Sequence, residues 1–330
     1  MKSFMEMMRN LCIISEIALD VFWSVGNVCH VITNTQPKNT KGFTMTNANE
    51  YTFGIELECV VKTQTVRRTN LTIGSYHHGI QVPFLPRGWK AERDGSIRTP
   101  NGYQACEIVS PVLKGEAGIL EVIAVLKKLN ELGFQVNETC GCHIHLGFDE
   151  NWGADVLARL IATVAYLEKG LFSITGTKRR ERGTYCKGIR KHGDTPKAKE
   201  KMDPDRYHAL NITNLTNRNS RQRTVEFRVF SGSLSEVKIV GWIQTCLGIM
   251  ERAVNSKRTP KWEPNAPCGG WKKDGPGQSE TERLMGFLAW SKGAARIHGG
   301  KQFGWITDAI PQETVKTEFR RLAKKYDAEV

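Results

Sequence analysis

The sequence predicts an α+β fold: a mainly antiparallel, curved sheet with helices packed on one face. Two observations lead there. Short alternating stretches and long amphipathic helices are mixed along the chain without strict β-α-β succession, which disfavours a parallel sheet. The composition, 40% hydrophobic and 25% charged over 330 residues, is that of a globular chain able to bury a large core.

The first strong element is the strand Tyr51 to Lys62. Successive side chains on a strand point to opposite faces, so Ile55, Leu57 and Cys59 share one face and Gly54, Glu56 and Glu58 the other. Trp89 to Ile97 contains Asp94-Gly95-Ser96, and Asp-Gly is a hairpin signal. Gln104 to Val109 is a strand that Ser110-Pro111 stops. Glu116 to Leu132 carries Ile119, Val122, Ile123, Leu126 and Leu129 at helical spacing, with Gly133 placed as its C-terminal cap. Phe134 to Val136 and Cys142 to Phe148 are expected strands, and Ala154 to Leu171 an amphipathic helix. Lys178 to Arg206 lacks periodicity and is expected to be a long loop. Tyr207 to Thr213 and Arg223 to Phe230 are expected strands, followed by helices at Glu236 to Val254, Ser279 to Trp290 and Gln312 to Tyr326. The segment from Lys257 to Gln278 is rich in Pro, Gly and Trp and reads as irregular.

These elements suggest three regions. Residues 1–44 form an N-terminal extension, expected to be poorly ordered, with initiation at Met45 as an alternative start. Residues 45–256 are expected to form the main folded domain, and 257–330 an irregular linker plus C-terminal helices packing on that domain. No run of 18 apolar residues appears. Glu16 and Asp20 interrupt the apolar N-terminal stretch and make it a poor signal peptide. Nine cysteines, an odd number set mostly in apolar patterns, suit reduced thiols and a cytoplasmic location. The formal charge is +13. Between Lys178 and Arg223 stand 14 basic and 5 acidic residues, a net of +9, and such a local field suits an anionic ligand.

Four strand pieces carry polar side chains on one face: Glu56 with Glu58, Glu107, His143 with His145, and Glu226 with Arg228. Each alone has a plain structural reading: a solvated sheet face, a hydrogen-bonded histidine pair, a cross-strand salt bridge. Asp94-Gly95-Ser96 reads as a turn only. If the four faces line one side of a single sheet, carboxylates, imidazoles and an arginine converge. Such carboxylates are hard ligands for Mg²⁺ or Mn²⁺, which bridge phosphate oxygens during phosphoryl transfer. An arginine beside them can grip a phosphate or a carboxylate. Cys140 and Cys142 invite a zinc site with the two histidines, but alternation turns both thiols away from His143 and His145.

The ordered motifs Gly-Ile-Glu-Leu-Glu (54–58), Asp-Gly-Ser (94–96), Glu-Ile-Val-Ser-Pro (107–111), His-Ile-His-Leu-Gly (143–147) and Thr-Val-Glu-Phe-Arg-Val-Phe (224–230) resemble the amidoligase family, related to glutamine synthetase and glutamate–cysteine ligase. The resemblance spans about Tyr51 to Val254. It implies a glutamine-synthetase-like catalytic domain and an ATP-dependent carboxylate–amine ligase working through an acyl phosphate. It also implies metal ligation by Glu56, Glu58, Glu107, His143 and Glu226, with ATP and Mg²⁺ or Mn²⁺ as cofactors. Arg228, His143, His145, Arg179 and Arg180 are the candidate catalytic residues, and Arg228, Asn211 and Arg218 the candidate nucleotide contacts. The expected partners are a small-molecule or peptide carboxylate and an amine, with no membrane association and the oligomeric state open. Two other readings stand: a metal-dependent phosphoesterase or nuclease on the same cluster, and a non-enzymatic nucleic-acid binder using the basic segment.

Overall fold

The computed structural model describes residues 46–189, 206–217, 220, 222–257 and 276–329. The N-terminal extension and Met45, Arg218, residues 190–205 of the basic segment and residues 258–275 of the irregular stretch lie outside the described residues.

Eight strands form one sheet: β1 (Thr52–Lys62), β2 (Ile80–Gln81), β3 (Lys90–Glu92), β4 (Tyr103–Val109), β5 (Leu113–Lys114), β6 (Gly141–Gly147), β7 (Leu210–Asn211) and β8 (Thr224–Ser231). Their order is β2-β3-β4-β1-β6-β8-β7, with β5 paired to the start of β1, and every strand pair is antiparallel. Segments leading into the two edge strands meet: Arg206, four residues before β7, donates to the hydroxyl of Tyr76, four residues before β2, at 2.8 Å. The alternation read from sequence explains the two faces. Ile55, Leu57, Cys59, Ile108, Cys142, Ile144, Leu146, Val225 and Phe227 are all buried in one core.

Three long helices cover that apolar face: α2 (Gly115–Glu131), α3 (Ala154–Ser173) and α6 (Glu236–Asn255). Gly133 adopts φ +78 just past α2, and the Phe134 N–H closes back onto the Leu129 carbonyl, as a left-handed helix cap requires. On α6, Trp242 stacks on Phe230 of β8 at 4.8 Å, and its Nε1–H donates to the Ile174 carbonyl. Two further helices, α7 (Gly277–Phe287) and α9 (Gln312–Ala328), pack on α3 and α6 as an outer layer. Short helices α1 (Thr63–Arg68), α4 (Arg179–Arg182), α5 (Thr213–Thr216) and α8 (Lys292–Ile297), with a 3-10 turn at Ala48–Glu50, complete the described elements. The four α-helices among these do not show in the sequence pattern, because helices of four to six residues are too short to show a period.

Three local expectations change. The Asp94-Gly95 pair does not form a tight hairpin: β3 and β4 pair through Glu92 and Glu107, so residues 93–102 form a longer loop. Phe134 to Val136 contributes only a single bridge, Gln135 to Val60. The strand expected over Tyr207 to Thr213 is ordered as β7 only at Leu210–Asn211, since Thr213 already opens α5.

Candidate active site

The strand register turns four separate polar pairs into one row. Glu92 faces Glu107, Glu107 faces Glu58, Glu56 faces His143, and His145 faces Glu226, which faces Asn211. Directly opposed residues share a face. The row therefore lies on the side of the sheet away from the helices. Gly54 sits opposite His145 and contributes no side chain there.

His143 lies at the centre. Its Nδ1 is 3.0 Å from Glu56 Oε2, 3.4 Å from Glu226 Oε1 and 4.0 Å from Glu107 Oε1, and its Nε2 is 3.5 Å from Glu58 Oε1. His145 Nε2 lies 3.0 Å from Glu56 Oε1 and 4.0 Å from Glu226 Oε1. Glu226 is held from both sides: Asn211 Nδ2 donates to Oε2 at 2.6 Å and Arg228 Nη1 to Oε1 at 2.5 Å. The Gly141 N–H donates to Glu58 Oε2 at 2.6 Å. Glu58, Glu107, His143, Glu226, Arg228 and Asn211 are buried, while Glu56 and His145 are only half-buried. The row is thus a sunken floor whose opening lies near Glu56 and His145.

The electrostatics fit a cluster built for added positive charge. Burial raises Glu107, and the neighbouring Glu56, Glu58, Asp94 and Glu92 push it further, well above the usual carboxylate range. Burial also works against an ionised Glu56, but His145 and His143 outweigh it and hold that carboxyl well below its ordinary value. Glu226 is lowered in the same way, burial being outweighed by His143, His145 and Arg228. Burial lowers His145, yet Glu56 and Glu226 dominate and carry it up to about 9.

Three groups on this floor hold ligand atoms within 4.8 Å of one another: Glu56–Glu107–His143, Glu56–His145–Glu226 and Glu58–Asp94–Glu107. The carboxylate-rich donor set suits hard divalent cations. His145 Nε2 is buried and has no hydrogen-bond partner of good geometry, although Glu56 is close. A cation between them would satisfy both. Among the described residues no cysteine joins these groups. Cys142 lies in the helix-side core as alternation requires. Cys140 does not follow it: placed before β6 begins, it packs with Val60 and Ile97 on the site's own side of the sheet.

The arginines separate. Arg180 points at the floor: its Nη2 donates to the Arg228 carbonyl, and its guanidinium lies over Gly141. Arg179, on the same short helix, is exposed, and its backbone N–H donates to Thr177 Oγ1. Arg228 Nε donates to the Tyr185 carbonyl at 3.4 Å. Three participants escape the sequence reading. Asp94 belongs to a ligand group rather than to a turn alone, although its carboxylate also accepts from the Ser96 N–H as a turn residue does. Glu92 extends the row through its pairing with Glu107. Gly141 gives space: a Cβ there would stand 3.1 Å from Arg180 Nη1 and 3.2 Å from His143 Nε2. The signal for Glu92 was available in the alternation of Lys90-Ala91-Glu92 around buried Ala91.

A family profile described as "Putative amidoligase enzyme" matches residues 49–195 and 191–250, more than half of the chain and every strand of the row. The chain belongs to this amidoligase family. No curated protein matches it. Among solved structures, similarity extends to the complex between prokaryotic ubiquitin-like protein Pup and its ligase PafA, at 10% identity and a TM-score of 0.43, covering 86% of this chain and 65% of that one. A bifunctional glutathione synthetase from Pasteurella multocida is similar at 11% identity and a TM-score of 0.43, covering 85% of this chain and 48% of that one. The amidoligase chain therefore spans less than two thirds of the length of either. Among its described residues no helix is long and apolar enough to cross a membrane.

Proposed function

We propose that this amidoligase is an ATP-dependent carboxylate–amine ligase that joins a carboxylate to an amine through an acyl phosphate. The observation that carries the reading is the single row of Glu107, Glu58, Glu56, His143, His145 and Glu226 on one sheet face, with three ligand groups on it, inside an amidoligase-family chain. Glu56, Glu58, Glu107, His143 and Glu226 would hold Mg²⁺ or Mn²⁺, with Asp94 as a further ligand. Ions held there would supply positive charge to neutralise nucleotide phosphates during phosphoryl transfer. Asn211 aligns Glu226 for that task. Arg228 and Arg180 supply fixed positive charge beside the carboxylates, where low-dielectric surroundings strengthen it. The burial of the floor keeps water from an activated carboxyl group. His145, half-buried beside Glu56, is taken as a catalytic residue of the site. The substrates are an amino acid, a peptide or a protein tail, and the location is the cytoplasm.

ATP turnover against a panel of amino acids, amines and peptides tests the proposal. The expected result is ADP release that requires both a carboxylate and an amine and is lost in the E56Q/E226Q variant. Cation-dependent cleavage of DNA or RNA without ATP would replace this reading with a phosphoesterase or nuclease. Full turnover by folded E56Q/E226Q protein would overturn the site assignment.

A further inference from the structure

Helix α9 lies beyond the family-matched stretch, yet its last turn reaches the segment that carries Arg180. The Lys178 N–H donates to one Glu329 carboxylate oxygen at 3.0 Å, and Thr177 Oγ1 donates to the other at 3.1 Å. Lys178 Nζ donates to the Glu329 carbonyl. Glu181 accepts from the Tyr326 hydroxyl and, at 3.0 Å, from Lys169 Nζ. The Lys169 and Lys178 ammonium groups lie 5.3 and 5.8 Å from the centre of the Tyr326 ring. Gly176, at φ +76, sits so close to α9 that a Cβ would stand 2.7 Å from Leu322 Cδ2. Residues 176–181 are therefore fastened to one helix at several points.

Arg180 stands inside this fastened segment and points the other way. Its guanidinium lies over Gly141, whose N–H holds Glu58, and bonds the carbonyl of Arg228. Its Nε is buried with no hydrogen-bond partner. Helix α4 has only four residues and cannot hold that orientation alone, because an isolated turn is not stable in water. We propose that α9 is a strut for Arg180, with Tyr326 and Glu329 as positioning residues that fix its guanidinium at the metal-binding floor. The proposal rests on the ligase reading for what Arg180 does, but not for where it is held.

The test uses the full chain with Y326F, E329A, R180A and the Y326F/R180A double variant. Y326F keeps the ring and its packing, so the fold is retained. Y326F and E329A should each lower kcat/KM for ATP about tenfold, the size of one charge-assisted hydrogen bond. The double variant should be no worse than R180A alone, because the strut acts through Arg180. Tryptic cleavage after Arg179, Arg180 and Arg182, followed by peptide mass, should speed up in Y326F and E329A. Multiplying losses in the double variant, or unchanged cleavage rates, would overturn the strut. A wild-type protein without ATP turnover would sink the ligase reading, while the cleavage rates would still decide the strut.

Discussion

Glu58 and Glu107 face each other directly across β1 and β4 as a non-hydrogen-bonded pair. The backbone of Val60, two residues along from Glu58, exchanges both hydrogen bonds with Gln135 on the side away from β4, so the Glu58 amide also points away from β4. In such pairs the side chains are closest, and like charges repel most. A divalent cation bound between them would remove that repulsion.

This pair gives a pH-dependent prediction. Glu107 is raised in the folded protein, so its favourable contribution is present below the unfolded value of 4.5 and is lost as pH rises through the folded value. Chelator-treated wild type should lose melting temperature relative to E107Q as pH rises above about 5. Added Mg²⁺ should restore it in wild type, more strongly at higher pH because binding displaces a proton, and should do little for E107Q. Thermal melts in chelator and in Mg²⁺ across that range check the crossing. A wild type that tracks E107Q at every pH would contradict the argument.

Asn211 bonds Glu226 Oε2 and accepts from the Thr213 N–H, which fixes the amide orientation. N211A should weaken Mn²⁺ affinity by about ten- to a hundredfold, as loss of an outer-shell partner does. Its melting temperature without metal should change little. Titration calorimetry with Mn²⁺ measures the first effect and a chelator-treated melt the second.

Gly141 should tolerate no side chain, although its φ is not in the left-handed region. G141A places a methyl group against Arg180 and His143. The expected cost to stability is about 1–3 kcal/mol, the range for overpacking. The loss of turnover should exceed what a matching destabilisation elsewhere produces, because two site side chains move together. Comparing kcat/KM with unfolding midpoints for G141A and G133A separates the two effects.

G133A provides that comparison. Gly133 holds φ +78 with no atom near its missing Cβ, so the methyl group meets no clash and only the backbone is strained. The left-handed conformation should cost about 1–2 kcal/mol. Turnover at a temperature where both proteins are folded should match wild type. A G133A protein with reduced kcat/KM and an unchanged melting midpoint would mean that this cap shapes the site.

The sequence was informative wherever period carries the message. Ile55-Glu56-Leu57-Glu58 and Val225-Glu226-Phe227-Arg228 show their two faces by alternation alone, and the faces are as expected. The apolar stripes of α2, α3, α6 and α9 mark helices to within two residues of their observed ends. Cys140 shows the limit. Alternation pairs it with Cys142, but β6 begins only at Gly141, and outside a strand the two-residue period has no force.

Chain order alone determined the α+β class, the identity of the polar strand faces and the ligand types suited to a hard cation. Each follows from side-chain direction within one element, which local backbone geometry sets. Only tertiary structure decided that Glu107 opposes Glu58, that Glu92 and Asp94 join them, that Arg180 rather than Arg179 turns to the floor, and that Gly141 must leave room. Those depend on strand register and on how loops and α9 pack, and both are set by hydrogen bonds and contacts between residues far apart in sequence.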